Sequence, residues 1–99
     1  MNIGKKLENG TLTLTLEGRL DTATSPRLQD VLPPAFDEAK EIILDFARLA
    51  YVSSAGLRVL HMGQKAAQAK TRSMKICNVS DEIMEVFEMT GFSDILHIL

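Results

Sequence analysis

Polar and apolar residues alternate along residues 11–17, where leucine occupies every second position. Successive side chains of a strand point to opposite faces, so this pattern predicts a half-buried β-strand with its leucines inward. Asn9-Gly10 comes just before it and is typical of a hairpin turn. Residues 1–7 are therefore a candidate first strand, and the chain is predicted to open with an antiparallel hairpin.

Two apolar runs, at residues 41–46 and 74–79, predict further strands, and residues 95–99 predict a terminal one. A near-continuous apolar run is typical of a central strand that is covered on at least one face. A short polar turn is predicted after residue 46, and a break is predicted at residues 18–21, after the alternating strand.

Helical spacing of apolar residues predicts three helices. The first begins at Thr24 or Ser25, and Pro33-Pro34 leaves open whether one kinked helix or two short ones follow. The second is amphipathic and runs from Ser54 to residue 70. The third follows Ser80, an apt N-cap, and ends near Gly91, a candidate C-terminal cap.

The predicted order is β-β-α-β-α-β-α-β. Strands joined through helices are expected to be parallel, whereas the opening hairpin adds an antiparallel pair. The fold class is therefore α/β, with a mixed β-sheet against which the helices pack. No linker divides the sequence, and we expect a single domain over residues 1–99.

Composition narrows the function classes. The 99 residues are 45% hydrophobic and carry a net charge of −2, so nothing in the charge balance indicates nucleic acid. The lone Cys77 cannot form an internal disulfide, and the cytoplasm is the favoured compartment. No leader segment and no apolar stretch of membrane-spanning length is evident, so we expect no direct membrane insertion.

The titratable residues do not form a recognisable catalytic pattern. A nucleophilic Ser54 would need a histidine beside it. His61 lies about two turns along the same predicted helix, and His97 lies in the predicted terminal strand. There is no paired Cys/His spacing and no acidic calcium loop. We therefore predict no enzyme activity, no catalytic residues, no metal and no cofactor.

The start of the second helix carries the most information about function. Ser53 and Ser54 are good N-cap residues, whereas Gly56 costs about 1 kcal/mol of helix propensity relative to alanine. A residue without Cβ makes sense where the backbone leaves room for a partner or an attached group, and tight packing of helix against strand is the alternative reason for it. Helix N-termini also tolerate a phosphate. We therefore expect an exposed serine whose modification changes a binding surface.

Two motifs in order resemble those of the STAS domain, named for sulfate transporters and anti-sigma-factor antagonists. One is the upstream Gly18-Arg19-Leu20-Asp21. The other is Asp45-Phe46-Ala47 followed by Ser53-Ser54-Ala55-Gly56-Leu57. The resemblance covers essentially the whole chain and implies a STAS-like fold that binds proteins.

Within that family, the free-standing anti-sigma-factor antagonists of bacteria are the most similar in motif. The resemblance implies that a serine kinase, itself the anti-sigma factor, phosphorylates Ser54, with Ser53 as a second candidate. The unphosphorylated antagonist binds the kinase and releases the sigma factor, and a phosphatase resets the phosphorylated form. The implied partner-binding residues are Leu20, Asp21, Ser53, Ser54, Gly56 and Leu57.

Two positions depart from the family pattern: Ser53 replaces the usual aspartate, and Ala47 replaces a commonly polar residue. Asp21 is expected near Ser54, where it would add to the negative field. The alternative function is a constitutive STAS assembly subunit beside the ATPase of a lipid-transport ABC system. The missing aspartate at Ser53 points towards that alternative.

Overall fold

The computed structural model describes residues 1–99. Four strands, three α-helices and one 3-10 turn follow one another along the chain. In order, they are β1 (Asn2–Glu8), β2 (Thr11–Leu20), α1 (Ser25–Glu38), β3 (Glu41–Val52), α2 (Ser54–Ala69), β4 (Ser73–Cys77), α3 (Asp81–Thr90) and the 3-10 turn Phe92–Asp94.

The strands form one mixed sheet in the order β1-β2-β3-β4. The β1–β2 pair is antiparallel, and the β2–β3 and β3–β4 pairs are parallel. Asn9 and Gly10 join β1 to β2 with φ values of 52° and 82°, as a two-residue hairpin turn with both residues left-handed requires. The predicted fold class and opening hairpin are confirmed.

One face of the sheet carries the core. Leu14 of β2, Leu44 of β3 and Ile76 of β4 pair across the sheet and are fully buried. The neighbouring positions, such as Thr13, Ile43 and Lys75, are only half-buried. All 23 buried hydrophobic residues form one cluster, so the three helices share a single core on one side of the sheet.

The turn predicted after residue 46 and the break at residues 18–21 are wrong. β3 continues to Val52 and β2 to Leu20, so both strands reach the start of α2. β3 carries one extra residue opposite β2 in each of two places, between Asp45 and Arg48 and between Leu49 and Tyr51. These bulges break the two-residue alternation, which hid the strand from pattern analysis.

α1 is one helix that contains both Pro33 and Pro34, which settles the alternatives left open by the sequence. Both prolines are exposed, so the carbonyl groups that lose a helical donor can be solvated. Leu28, Leu32 and Phe36 are buried on the opposite side, and this packing holds the helix together.

The predicted terminal strand is reduced to one parallel bridge between Ile98 and Ile76. The Ile76 amide donates to the His97 carbonyl at 2.9 Å, and the Leu99 amide donates to the Ile76 carbonyl at 2.8 Å. The 3-10 turn Phe92–Asp94 takes up the preceding residues, which leaves little chain for a longer ladder. None of the α-helices combines the length and apolarity needed to cross a membrane.

Candidate functional site

The ends of β2 and β3 meet the start of α2 at one edge of the sheet. Leu20 pairs with Val52 in the last register position of the two strands. The Ser53 amide then donates to the Leu20 carbonyl at 2.9 Å, which extends the ladder to the residue before the helix. Asp21 and Ser53 are therefore next to each other, and Ser54 follows as the first residue of α2.

Ser53 is the residue that caps α2. Its backbone is extended, and its hydroxyl oxygen accepts a hydrogen bond from the Gly56 amide at 3.4 Å. The Leu57 amide donates to the Ser53 carbonyl at 2.9 Å. Ser54 is exposed, and its hydroxyl makes no hydrogen bond within the protein. Ser53 is therefore the N-cap of the helix, whereas the Ser54 hydroxyl has no hydrogen-bond partner within the protein.

Gly56 allows α2 to approach the sheet closely. A Cβ at Gly56 would lie 2.8 Å from Cγ of Leu20, 2.9 Å from the Leu20 carbonyl oxygen and 3.1 Å from Cγ1 of Val52. The sequence left two reasons open for this glycine: room for a partner or an attached group, and tight packing of helix against strand. The contacts with Leu20 and Val52 agree with the second reason, because the space that a Cβ would need is already filled within the chain.

The six predicted partner-binding residues divide into two groups. Leu20 is fully buried, Leu57 is 7% exposed and Gly56 is also buried. These three residues are not available for direct contact with a partner. They pack the start of α2 against the sheet instead. The other three reach the surface: Asp21, Ser53 and Ser54.

Arg19 and Tyr51 also lie at this edge and were missed from the sequence. The Arg19 guanidinium lies over the Tyr51 ring, with Cζ 4.2 Å from the ring centroid. Nε of Arg19 is 3.6 Å from Oδ2 of Asp21. Arg19 of β2 pairs with Tyr51 of β3. This contact could not be predicted, because the sequence analysis placed a turn where the second half of β3 lies.

Asp21 is held in a turn before α1. Its Oδ1 accepts hydrogen bonds from the Ala23 and Thr24 amides, both at 3.1 Å. The hydrogen bond from the Thr24 amide is the largest cause of a lowered pKa at Asp21, and partial burial of the carboxyl acts in the opposite direction. Hydrogen bonds from the Thr24 hydroxyl, the Ala23 amide and the Arg19 side chain lower the pKa further. The carboxylate is therefore ionised at neutral pH, but Arg19 balances part of the predicted negative field.

Thr24 stands at the predicted N-cap position of α1, yet its hydroxyl does not cap the helix. The hydroxyl donates to the Arg19 carbonyl at 2.7 Å and accepts from the Asp21 amide at 2.9 Å. Thr24 thus fixes the turn that carries Asp21.

The first turn of α2 has no acidic residue. The first turn of α2 therefore supplies no carboxylate of its own to the positive end of the helix dipole. An anionic group on Ser54 would lie where such charge stabilises a helix.

The remaining chemistry-bearing side chains lie apart from this edge. His61 contacts the Phe92 ring edge-on, with centroids 5.9 Å apart, and neither histidine bonds to Ser54. Burial, and to a lesser extent Asp45, raises the pKa of the Cys77 thiol, which disfavours the reactive thiolate. No three His, Cys, Asp or Glu residues are grouped so that they could hold a metal ion.

Comparison with known proteins agrees with this architecture. The family described as "Mlab, STAS domain" matches residues 3–98. The chain therefore belongs to the STAS domain family.

The chain also belongs among the anti-sigma factor antagonists, because two relatives with that name are similar to it over most of its length. The chain is 33% identical to the putative anti-sigma factor antagonist BtrV of Bordetella bronchiseptica, over 88% of this chain and 76% of the relative. It is 30% identical to the anti-sigma-B factor antagonist of Staphylococcus aureus, over 99% of this chain and 92% of the relative.

The fold is similar to that of the anti-sigma factor antagonist SpoIIAA. The unphosphorylated form superposes with a TM-score of 0.77 at 18% identity, and the match covers 99% of this chain and 87% of SpoIIAA. The Bacillus protein in its phosphorylated form gives a TM-score of 0.76 at 19% identity, and this match covers 99% and 91% of the two chains. These two structures support the STAS fold.

Proposed function

We propose that this anti-sigma factor antagonist is switched by phosphorylation of Ser54. The unphosphorylated protein binds an anti-sigma factor that is also a serine kinase, and the sigma factor is released. Phosphorylation of Ser54 ends binding, and a phosphatase restores it. The observation that carries the proposal is the free, exposed Ser54 hydroxyl at a helix start fixed to the sheet.

Ser54 is preferred to Ser53 because of what each hydroxyl does. The Ser53 hydroxyl accepts the Gly56 amide, and the residue is half-buried. A phosphate on Ser53 would disturb the cap, which is typically worth about 1 kcal/mol to a helix. Ser54 has no such role, so a kinase can modify it without cost to the fold.

The switch would act at the surface. A phosphate adds about −1.5 to −2 charges, which an acidic or closely packed partner cannot accommodate. We propose that the partner contacts Asp21, Ser53 and Ser54, with Arg19 and Tyr51 beside them. Leu20, Gly56 and Leu57 would act indirectly, because they set the position of this surface.

We further propose that the protein works in the cytoplasm as a binding module, without catalytic activity of its own. This proposal rests on the family, and on the fact that neither histidine is hydrogen-bonded to the Ser54 hydroxyl. The residues 1–99 would form one STAS domain, since all the buried hydrophobic side chains belong to one cluster.

Replacement of Ser54 by aspartate tests the switch. We expect Ser54→Asp to weaken binding of the captured anti-sigma factor by at least about tenfold, since it places a negative charge at the contact. Ser54→Asn is the matched control, because it has nearly the same shape without the charge, and it should bind nearly as the unmodified protein does. Isothermal titration of both variants measures this, and equal affinities would contradict the proposal.

Mass spectrometry of the protein purified from its native cell, with affinity capture alongside, tests the kinase and the alternative function together. A phosphate on Ser54 with a serine kinase in the capture supports the proposal. No modification under any growth condition, with an ABC ATPase captured in stable complex, would instead support the constitutive assembly subunit.

A further inference from the structure

Arg58 differs from the other arginines of the protein. It is the one arginine of five whose guanidinium makes no hydrogen bond and no ion pair. Arg19 and Arg48 face carboxylates, at 3.6 Å and 3.2 Å, while Arg27 and Arg72 donate to backbone carbonyls. An exposed, unpaired guanidinium is therefore available on α2.

Arg58 lies four residues after Ser54 on the same helix, and both residues are exposed. Side chains four residues apart are neighbours on a helix surface. Helical side chains also lean towards the N-terminus, so the Arg58 side chain can extend back over the turn that carries Ser54. The spacing on the helix therefore puts the guanidinium within reach of a group attached to the Ser54 hydroxyl.

No carboxylate competes for Arg58. The first turn of α2 has no acidic residue, because Ser53 and Ser54 occupy its start. Asp21, which follows the end of the adjacent strand β2, is already faced by Arg19. The Arg58 guanidinium is therefore available to pair with an anionic group that is added to this surface.

We propose that Arg58 binds the phosphate of phosphorylated Ser54 within the same helix; this rests on the proposed modification of Ser54. A guanidinium matches phosphate oxygens with two parallel N–H donors, which makes such pairs stronger than neutral hydrogen bonds. Phosphorylation therefore changes two surface groups. It adds a dianion at Ser54 and withdraws the Arg58 guanidinium from any partner.

The second pKa of the phosphate reports this pairing. Phosphoserine is placed at position 54 during translation, and ³¹P NMR follows the phosphate through its second ionisation near pH 6. We expect that pKa to be lower by about 0.3 unit or more than in the same protein with Arg58→Gln. Lys65→Gln is the control, since Lys65 is an exposed, unpaired cation farther along α2, and it should leave the phosphate pKa unchanged.

Equal phosphate pKa values with and without Arg58 would overturn the proposal, as would an equal shift from Lys65→Gln. Should Arg58→Gln not fold, the Arg58 side-chain ¹⁵Nε resonance of the otherwise unchanged phosphoprotein gives the same answer. It should move with the phosphate titration, and a constant resonance would overturn the pairing.

This experiment is independent of the kinase and of any partner. Loss of the pKa difference removes the Arg58 pairing but leaves the Ser54 switch standing. Undiminished binding of the anti-sigma factor by the phosphoserine protein removes the switch but leaves the pairing standing.

Discussion

α2 and α3 begin in the same way and then differ in charge. Each has a serine N-cap whose hydroxyl accepts from the amide three residues later, at 3.4 Å for Ser53 and 3.2 Å for Ser80. The next two residues of α3 are Asp81 and Glu82, whereas α2 has no acidic residue in its first turn. The carboxylates of α3 therefore compensate the positive end of its own dipole, whereas the first turn of α2 has no carboxylate to do so. Phosphorylated Ser54 would occupy the position that Asp81 holds in α3.

The two helix starts also differ in how they attach to the core. The third helical residue of α3 is Ile83, which is 2% exposed and anchors the turn by its side chain. The same position of α2 is Gly56, where the backbone itself approaches Leu20. The start of α2 therefore combines a backbone packed closely against the sheet with a first turn that has no acidic residue. A charge introduced there would therefore lie on a helix start that close packing holds against the sheet.

The largest effect is expected from Gly56→Ala. The added Cβ would meet Leu20 at 2.8 Å and 2.9 Å, so the free energy of unfolding should fall by about 1–3 kcal/mol, measured by urea denaturation. Gly4→Ala is the control, because its Cβ would lie 3.7 Å from the nearest atom, Cβ of Thr15. Equal stability of the two variants would show that α2 is not held by close backbone contact.

Removal of the capping hydroxyls comes next. Ser53→Ala and Ser80→Ala should each lower the free energy of unfolding by about 1 kcal/mol, because each leaves a helix amide without its acceptor. Ser54→Ala should change it by less than about 0.5 kcal/mol, since its hydroxyl has no partner. A loss at Ser54→Ala as large as at Ser53→Ala would reverse the assignment of cap and free hydroxyl.

The smallest effect tests the charge difference directly. Ser54→Asp should raise the free energy of unfolding by about 0.3–1 kcal/mol, and Asp81→Asn should lower it by a similar amount, both less so at high salt. Thermal unfolding at two salt concentrations measures these changes. If Ser54→Asp were less stable than the unmodified protein, its weaker partner binding could be ascribed to the fold instead of to the charge.

The comparison also shows how far sequence alone could go. The hairpin and β2 were predictable because leucine alternates with threonine there, and the Asn9-Gly10 turn fixes the register. The second half of β3 was not predictable, because its two bulges interrupt that alternation. The contact of Arg19 with Tyr51 was lost with it, since cross-strand neighbours are known only when both strands are known.

Within the site, sequence located the helix start but could not separate its two serines. Ser53 and Ser54 are equally good N-cap residues by type, and only the extended backbone at Ser53 assigns the cap to it. Sequence likewise showed that Gly56 is unusual in a helix, but it could not decide between room for a partner and tight packing against a strand. The reason is the approach of Leu20 from a distant strand, which no local pattern records.

The opening hairpin has a practical consequence for the study of this protein. Because β1 runs antiparallel to β2, Asn2 pairs with Glu17, and residue 1 lies towards the edge of the sheet that carries Ser54. An affinity tag attached directly before residue 1 would therefore lie towards the surface that the capture experiment is meant to expose. The turn at Asn9 and Gly10 lies at the opposite end, and an anchor attached there leaves Ser54 facing the solution.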